Sequence, residues 1–168
     1  FGFRRQGDFA LLQQRGSELG FEVEETASYE YNGVRISSSY IRQELAASNF
    51  ALVEQLLGRP YSIRGEVQQG RQLARNFGYP TCNVDLQRRT LPLHGVFACE
   101  VRLADRFFTA AVNVGYKPTV TDERVALLEA HLLDFDEDLY GKTIEVIFRH
   151  KIREEMKFDG LDALKAQM

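Results

Sequence analysis

Hydrophobic and polar positions alternate through most of the second half of the chain, which is the pattern of strands with one buried face. The alternation covers residues 61–67, 97–103 and 108–114, and two further runs cover residues 126–133 and 143–150. Glycine and proline residues separate these runs at short intervals. The pattern predicts an antiparallel barrel or sandwich, and we favour a closed barrel because closure leaves no exposed sheet edge.

The beginning of the chain has a different pattern, with one predicted helix and one predicted strand. Asp8 is placed to cap a helix over residues 9–19, and Gly20 is placed to end it. Hydrophobic residues alternate again over residues 21–27, which predicts a strand with one buried face. An Asn-Gly pair at residues 32–33 predicts a turn after that strand.

Two short helical periods lie between residues 36 and 57, and Pro60 marks a change from helices to strands. We therefore predict a unit over residues 1–58 and a second, barrel-forming unit over residues 59–168. The serine triplet at residues 37–39 could bind a phosphate at a helix N-terminus or simply cap the helix. A last helix is predicted from Asp159 onward.

Composition excludes several classes of protein. The 168 residues are 44% hydrophobic and carry a net charge of -3, which gives no basic field for nucleic acid. No apolar run approaches the ~20 residues of a membrane span, so no membrane association is expected. Cys82 and Cys99 stand alone, which is typical of reduced thiols in a cytoplasmic protein. Because the chain begins with Phe1 and not with Met, we expect it to be part of a longer protein.

The segment 65–83, GEVQQGRQLARNFGYPTCN, holds the most distinctive chemistry. Its glycines, among them Gly65 and Gly70, can take positive φ and allow close approach to a ligand, and Arg71 and Arg75 can grip phosphate oxygens. Thr81 and Asn83 then place two oxygen donors on one side of an extended chain, and such donors suit Mg²⁺. The alternative is an ordinary exposed hairpin loop, because neither a Walker loop nor a dinucleotide turn is present.

Two further segments contain candidate residues. Glu129 shares a strand face with hydrophobic residues, so it could serve as a base, take part in an ion pair or face solvent at the barrel rim. Tyr140 follows an acidic turn and could cover a nucleotide base, although a solvated turn explains the same residues. Near the end of the chain, Arg153, Met156 and Phe158 could line a planar heteroaromatic ligand or act as a hydrophobic latch on the barrel.

Taken in order, five motifs resemble the riboflavin kinase family: GYPTCN, LPLHGVFA, NVGYKPT, LEAHLLDFDEDLYG and KIREEMKFDGLDALKAQ. The whole chain is similar to the C-terminal part of prokaryotic bifunctional riboflavin kinase/FMN adenylyltransferases (FAD synthetases). FGFRRQGD and ISSSYIR resemble the end of their nucleotidyltransferase domain, so residues 1–58 would be its C-terminal remnant, an α/β fragment. The adenylyl-transfer motif of that domain would lie upstream of Phe1, and the chain alone is not expected to make FAD.

The resemblance implies a mainly β fold, a six-stranded antiparallel Greek-key barrel with a C-terminal helix. It implies an enzyme that transfers the γ-phosphate of ATP to riboflavin, giving FMN and ADP, with Mg²⁺ as cofactor. Its implied residues are Thr81 and Asn83 for Mg²⁺, Glu129 as catalytic base, Gly70, Arg75, Thr81, Leu132, Asp134 and Tyr140 for ATP, and Arg153, Met156 and Phe158 for riboflavin or FMN. Ala74, Cys82 and Val120 depart from the usual glycine, alanine and phenylalanine.

Small molecules are therefore the expected partners, and self-association through the full-length enzyme is left open. Two other functions fit the residues less well. A flavin- or nucleotide-binding barrel without turnover would keep the same binding residues. A nucleic-acid-binding barrel would share the short strands, but the acidic charge and the lack of a basic, aromatic sheet face oppose it.

Overall fold

The computed structural model describes residues 4, 6–68, 81–86, 90–118 and 124–156. The chain divides into two compact units, Phe1–Ile36 and Ser37–Met168. The domain boundary predicted after residue 58 stays a prediction. The predicted C-terminal helix lies outside the described residues.

The first unit contains the predicted helix, α1 (Phe9–Leu19). The Asp8 side chain accepts a hydrogen bond from the backbone N–H of Leu11 at 2.9 Å, and Gly20 ends the helix with a φ of 76°. Both predicted ends of this helix are thus confirmed. The hydrophobic side of the helix is only partly buried, because Leu19 is 72% exposed.

A short hairpin completes the first unit, with strands β1 (Glu30–Tyr31) and β2 (Val34–Arg35). Asn32 and Gly33 both have positive φ, which confirms the predicted turn. The prediction of a strand over residues 21–27 is wrong, because that segment is irregular. Alternation favours a strand only where a neighbour supplies hydrogen bonds, and no described strand pairs with it.

The second unit begins with the two predicted helices, α2 (Ser38–Ala46) and α3 (Phe50–Leu57). Ser37 caps α2, and its Oγ accepts a hydrogen bond from the backbone N–H of Tyr40 at 3.2 Å. This contact favours the capping interpretation of the serine triplet. Phe50 of α3 packs against Phe97 and Phe148, with ring centroids 5.8 and 6.0 Å apart, so α3 is joined to the barrel core.

Six strands form the closed antiparallel barrel, which confirms the predicted fold class. They are β3 (Ser62–Gln68), β4 (Cys82–Val84), β5 (Gly95–Leu103), β6 (Arg106–Pro118), β7 (Arg124–Leu132) and β8 (Thr143–Arg153). Their order around the barrel is β3-β4-β7-β6-β5-β8. Strands β5, β6 and β7 are hairpin neighbours and β8 returns to lie beside β5, which is the Greek-key arrangement.

Alternate residues of each strand fill the barrel interior. On β7 the inward side chains Ala126, Leu128 and Ala130 are buried, whereas Glu129 and His131 face outward and are half-buried. Glu129 and His131 therefore share a strand face. This face lies outside the barrel core, which explains how the strand accommodates a carboxylate.

Candidate functional site

Three polar side chains lie side by side on the outer face of the barrel. The strand register places Asn83 of β4 opposite Glu129 of β7, and Glu129 opposite Asn113 of β6. Neighbouring strands are roughly 5 Å apart, so each of these side chains is within reach of the next. We call Asn83, Glu129 and Asn113 the polar row. The described residues offer the Glu129 carboxylate no ion pair, so the ion-pair alternative has no support there.

Thr81 adds an oxygen donor to the same face. Cys82 and Val84 are buried in the barrel, while Thr81 and Asn83 are half-buried and alternate with them. Their side chains therefore point to the same outer side, as the sequence predicted. The Thr81 hydroxyl and the Asn83 amide oxygen are hard donors, and the Glu129 carboxylate lies beside Asn83. This donor set fits a Mg²⁺ ion that takes its remaining ligands from phosphates and water.

Beyond the polar row, two more strands lead to residues that are predicted to bind the flavin. Asn113 lies opposite Val96 of β5, and Val96 lies opposite Arg153 at the end of β8. The Arg153 guanidinium donates a hydrogen bond to the backbone oxygen of Glu154 at 3.1 Å. Met156 follows with 48% of its surface exposed. The fold thus brings Asn83, Glu129 and Arg153 into one line around the barrel.

The segment after β8 lies against the same outer face. A Cβ atom on Gly115 would lie 2.5 Å from Oε1 of Glu155, so this carboxylate rests directly on the glycine backbone. Oε2 of Glu155 also lies 3.1 Å from Nε2 of His94. Gly115 is two residues beyond Asn113 and points to the same side. Sequence reasoning missed Asn113 as a neighbour of Glu129 and Glu155 as a neighbour of Gly115.

A cavity of about 490 Å³ opens beside the start of β4 and the end of β7. Its lining includes three of the residues predicted for ATP: Thr81, Leu132 and Tyr140. Asp134, predicted for the same ligand, is exposed in the turn after β7 with a φ of 52° and does not line the cavity. Gly70 and Arg75, predicted for ATP, and Phe158, predicted for riboflavin, lie outside the described residues.

One wall of the cavity is an acidic loop that is anchored to β6. Asp136, Glu137 and Asp138 all line the cavity. Nη1 of Arg106 donates to Glu137 at 2.7 Å, and Phe108 packs edge-on against Phe135 of the loop, with centroids 4.9 Å apart. These contacts hold the loop, with its three carboxylates, in place beside Tyr140.

Gly65 does not have the positive φ that the sequence allowed for it. It lies inside β3, and its missing side chain lets the chain just after β4 come close. A Cβ atom there would overlap the backbone oxygen of Asp85 and lie 2.6 Å from Cγ1 of Val84. The close approach at Gly65 is thus between strands, whereas the sequence suggested an approach to a ligand.

The two cysteines are free and buried. Burial raises the pKa of Cys82 to about 11 and that of Cys99 to about 12. A thiol with such a pKa is almost entirely protonated at neutral pH and is a poor nucleophile. Cys82 lines the cavity, but its contribution there is apolar contact.

The side-chain oxygen of Asn113 is the feature that the fold leaves unexplained. Oδ1 is buried and finds no hydrogen-bond partner in the described part of the chain. A buried oxygen acceptor without a partner costs about 1–3 kcal/mol. Asn113 lies within β6, next to Glu129.

A closed Greek-key barrel with outward polar side chains beside a nucleotide-sized cavity defines a class of small-molecule-binding barrels. The family comparison then makes the identification. Residues 57–168 match the flavokinase family, described as riboflavin kinase, and this chain belongs to that family. The match covers the whole barrel together with the polar row.

Individual relatives of the chain also carry the riboflavin kinase name. The chain is 48% identical over 169 residues to the bifunctional riboflavin kinase/FMN adenylyltransferase of Escherichia coli K12, covering 100% of this chain and 54% of the relative. The protein of that name from Pseudomonas fluorescens is 47% identical, covering 98% and 53%. The chain thus spans about half the length of these curated relatives.

Among solved structures, a Streptococcus pneumoniae protein titled a macrolide-efflux protein superposes with a TM-score of 0.74 at 33% identity. The superposition covers 99% of this chain and 54% of that one. Within the described residues, no helix has the length and apolar character that crossing a bilayer requires.

Proposed function

We propose that this chain transfers the γ-phosphoryl group of ATP to the 5'-hydroxyl of riboflavin, producing FMN and ADP. The observation that carries the proposal is the position of Glu129, which lies between two amide side chains and close to a cavity lined by Thr81. A carboxylate without an ion pair in the described chain, next to oxygen donors suited to Mg²⁺, is a suitable base for phosphoryl transfer. Membership of the riboflavin kinase family supports the choice of acceptor.

The charges around the cavity suggest how ATP would lie. The three carboxylates of the acidic loop would repel phosphates but can accept hydrogen bonds from ribose hydroxyls and the adenine amino group. Tyr140 offers an aromatic ring for the base. We therefore place the adenosine in the cavity and direct the phosphates toward Thr81 and Asn83. Gly70 and Arg75 are proposed to contact the nucleotide, and Asp134 to border it from outside the cavity.

Mg²⁺ is proposed to bind Thr81 and Asn83 together with phosphate oxygens, since these two residues supply the hard donors that it prefers. When bound, the ion would neutralise phosphate charge and so favour attack by a hydroxyl. At the end of β8, Arg153 and Met156 are proposed to border the flavin ring, and Phe158 is proposed for the same role. The 5'-hydroxyl would then lie beside Glu129.

In the reaction, the Glu129 carboxylate accepts the proton of the 5'-hydroxyl as its oxygen bonds to the γ-phosphorus. The bond from the γ-phosphorus to the bridging oxygen breaks, and ADP leaves with that electron pair. Asn83, beside Glu129, would hold the phosphate end of ATP next to the catalytic carboxylate. General-base help of this kind is worth ~10² to 10⁴ in rate.

The test is to incubate the chain with ATP, Mg²⁺ and riboflavin and to follow FMN and ADP by chromatography. We expect stoichiometric FMN and ADP, and a Glu129→Gln variant that binds both substrates but loses ~10²- to 10⁴-fold in kcat. Glu100→Gln is the matched control, because Glu100 also faces outward from the barrel but is paired with Arg149 at 2.6 Å. It should keep the activity of the unmodified chain.

Two results would contradict the proposal. Binding of both substrates without FMN formation would identify a barrel without turnover. Near-normal kcat in Glu129→Gln would remove Glu129 from the mechanism. We also propose a cytoplasmic location, which the free thiols of Cys82 and Cys99 support. The FMN adenylyltransferase activity in the names of the relatives is proposed only for the full-length protein.

A further inference from the structure

We propose that Asn113 is a substrate-binding residue whose side-chain oxygen accepts a hydrogen bond from a hydroxyl of the ribityl chain of riboflavin. The proposal rests on the proposed function, since it concerns the acceptor substrate of that reaction. It is carried by two observations: the position of Asn113 in the polar row, and the lack of a hydrogen-bond partner for its Oδ1 among the described residues.

The position of Asn113 places it under the path of the ribityl chain. Glu129 is next to Asn113 on one side, and on the other side Val96 separates it from Arg153. With roughly 5 Å between strands, Asn113 lies about one strand from the base and two strands from the predicted flavin-binding end. A riboflavin molecule with its 5'-hydroxyl at Glu129 and its ring near Arg153 would pass its remaining hydroxyls over Asn113.

The chemistry of Oδ1 narrows the choice of partner. An amide oxygen accepts hydrogen bonds and donates none, so phosphate oxygens, which are acceptors themselves, cannot satisfy it. A cation held by Thr81 and Asn83 would lie on the other side of Glu129. Among the hydrogen-bond donors of the proposed substrates, the ribityl hydroxyls are the ones whose path passes over Asn113. Ala111 adds little bulk on the same face of β6, and on the other side of Asn113 the Glu155 carboxylate rests on Gly115.

Asn113→Leu tests the role, because leucine has a similar shape and removes the unpaired acceptor. In the free protein, the substitution should leave the thermal midpoint unchanged or raise it, since the buried oxygen has no partner to lose. With Mg²⁺ and ADP present, riboflavin binding measured by flavin fluorescence should weaken about tenfold. A merely structural asparagine would show the reverse, a lower midpoint with unchanged riboflavin affinity, and that result would overturn the proposal.

Lumiflavin, which carries a methyl group in place of the ribityl chain, separates hydroxyl recognition from ring recognition. We expect Asn113→Leu to leave lumiflavin affinity unchanged, and Asn113→Asp, which keeps an acceptor oxygen, to retain more riboflavin affinity than Asn113→Leu. Equal weakening of both flavins, or a changed Mg²⁺ requirement with unchanged riboflavin affinity, would overturn the proposal. If the leucine variant does not fold, Asn113→Thr gives the same comparison, because its hydroxyl is too short to replace Oδ1.

The two proposals fail in different ways. If the unmodified chain forms no FMN, the proposed function fails before any Asn113 variant is measured. If the unmodified chain forms FMN and Asn113→Leu binds riboflavin as tightly, only the role of Asn113 is lost.

Discussion

Gly65→Ala should destabilise the barrel and displace the strand that carries Asn83. The added Cβ would overlap the backbone oxygen of Asp85 and lie 2.6 Å from Cγ1 of Val84. Neither contact is with the end of a flexible side chain, so the chain at the end of β4 must move outward. Such overpacking costs about 1–3 kcal/mol. The backbone hydrogen bond from Asp85 to Glu66, 2.8 Å long, would weaken at a further cost of about 1 kcal/mol.

The expected loss is thus roughly 2–4 kcal/mol, a large part of the 5–15 kcal/mol by which a domain of this kind is stable. In addition to this loss of stability, the substitution should lower kcat of the molecules that remain folded. β4 has three residues and connects β3 to β7, so a shift of β4 moves Asn83 relative to Glu129. We expect kcat to fall by at least tenfold under conditions where the variant is still folded.

Chemical denaturation gives the free energy of unfolding, and FMN formation well below the denaturation midpoint gives kcat. Val101→Ala is the matched control, because Val101 is fully buried on β5 and its truncation leaves a cavity of comparable cost without pushing on β4. It should lose stability and keep kcat. Unchanged stability in Gly65→Ala would refute the close approach of the strands, and a kcat equal to that of Val101→Ala would refute the link to Asn83.

Tyr140→Leu should raise KM for ATP several-fold and leave KM for riboflavin unchanged, because Tyr140 lines the cavity proposed for adenosine. The control is Tyr29→Leu, at a position that is 79% exposed. Equal changes in both KM values of Tyr140→Leu would count against the assignment. The stability of the protein should fall as the pH rises from 9 toward 11–12, because burial raises the pKa values of Cys82 and Cys99 from 9.0 to about 11 and 12. Between those values the unfolded chain releases thiol protons that the folded chain keeps, so each thiol removes about 1.4 kcal/mol per pH unit. Urea unfolding of a Cys82→Ala/Cys99→Ala variant across this range should show a shallower pH slope, and an identical slope would mean that the thiols are not buried as described.

Much of the barrel could be predicted from the sequence because each strand has one buried face and one outward face. Inward residues such as Phe97 and Val101 alternate with outward polar ones, and this period is visible in a single strand. The same reasoning failed for residues 21–27, where alternation occurs without a neighbouring strand. Periodicity reports which side chains could be buried together, whereas hydrogen bonding to a partner strand decides whether a strand forms.

The polar row could be predicted only in part, because it depends on register between strands that are far apart in the sequence. Thr81 and Asn83 are close in the chain, so their shared direction follows from the strand period alone. Asn113 is 30 residues beyond Asn83, and Glu129 is a further 16. No local sequence pattern indicates that these three residues are neighbours in the fold. Its unpaired oxygen is visible only once β6 is paired with β7.

The Greek-key order is what brings the row together. In an up-and-down barrel, β4 would lie beside β3 and β5, and two strands would separate Asn83 from Glu129. In the observed order, β7 lies between β4 and β6, so Glu129 has Asn83 on one side and Asn113 on the other. The same order places β8 beside β5, and this brings Arg153 to the far end of the row. The proposed nucleotide and flavin ends therefore meet at one carboxylate because of the strand order.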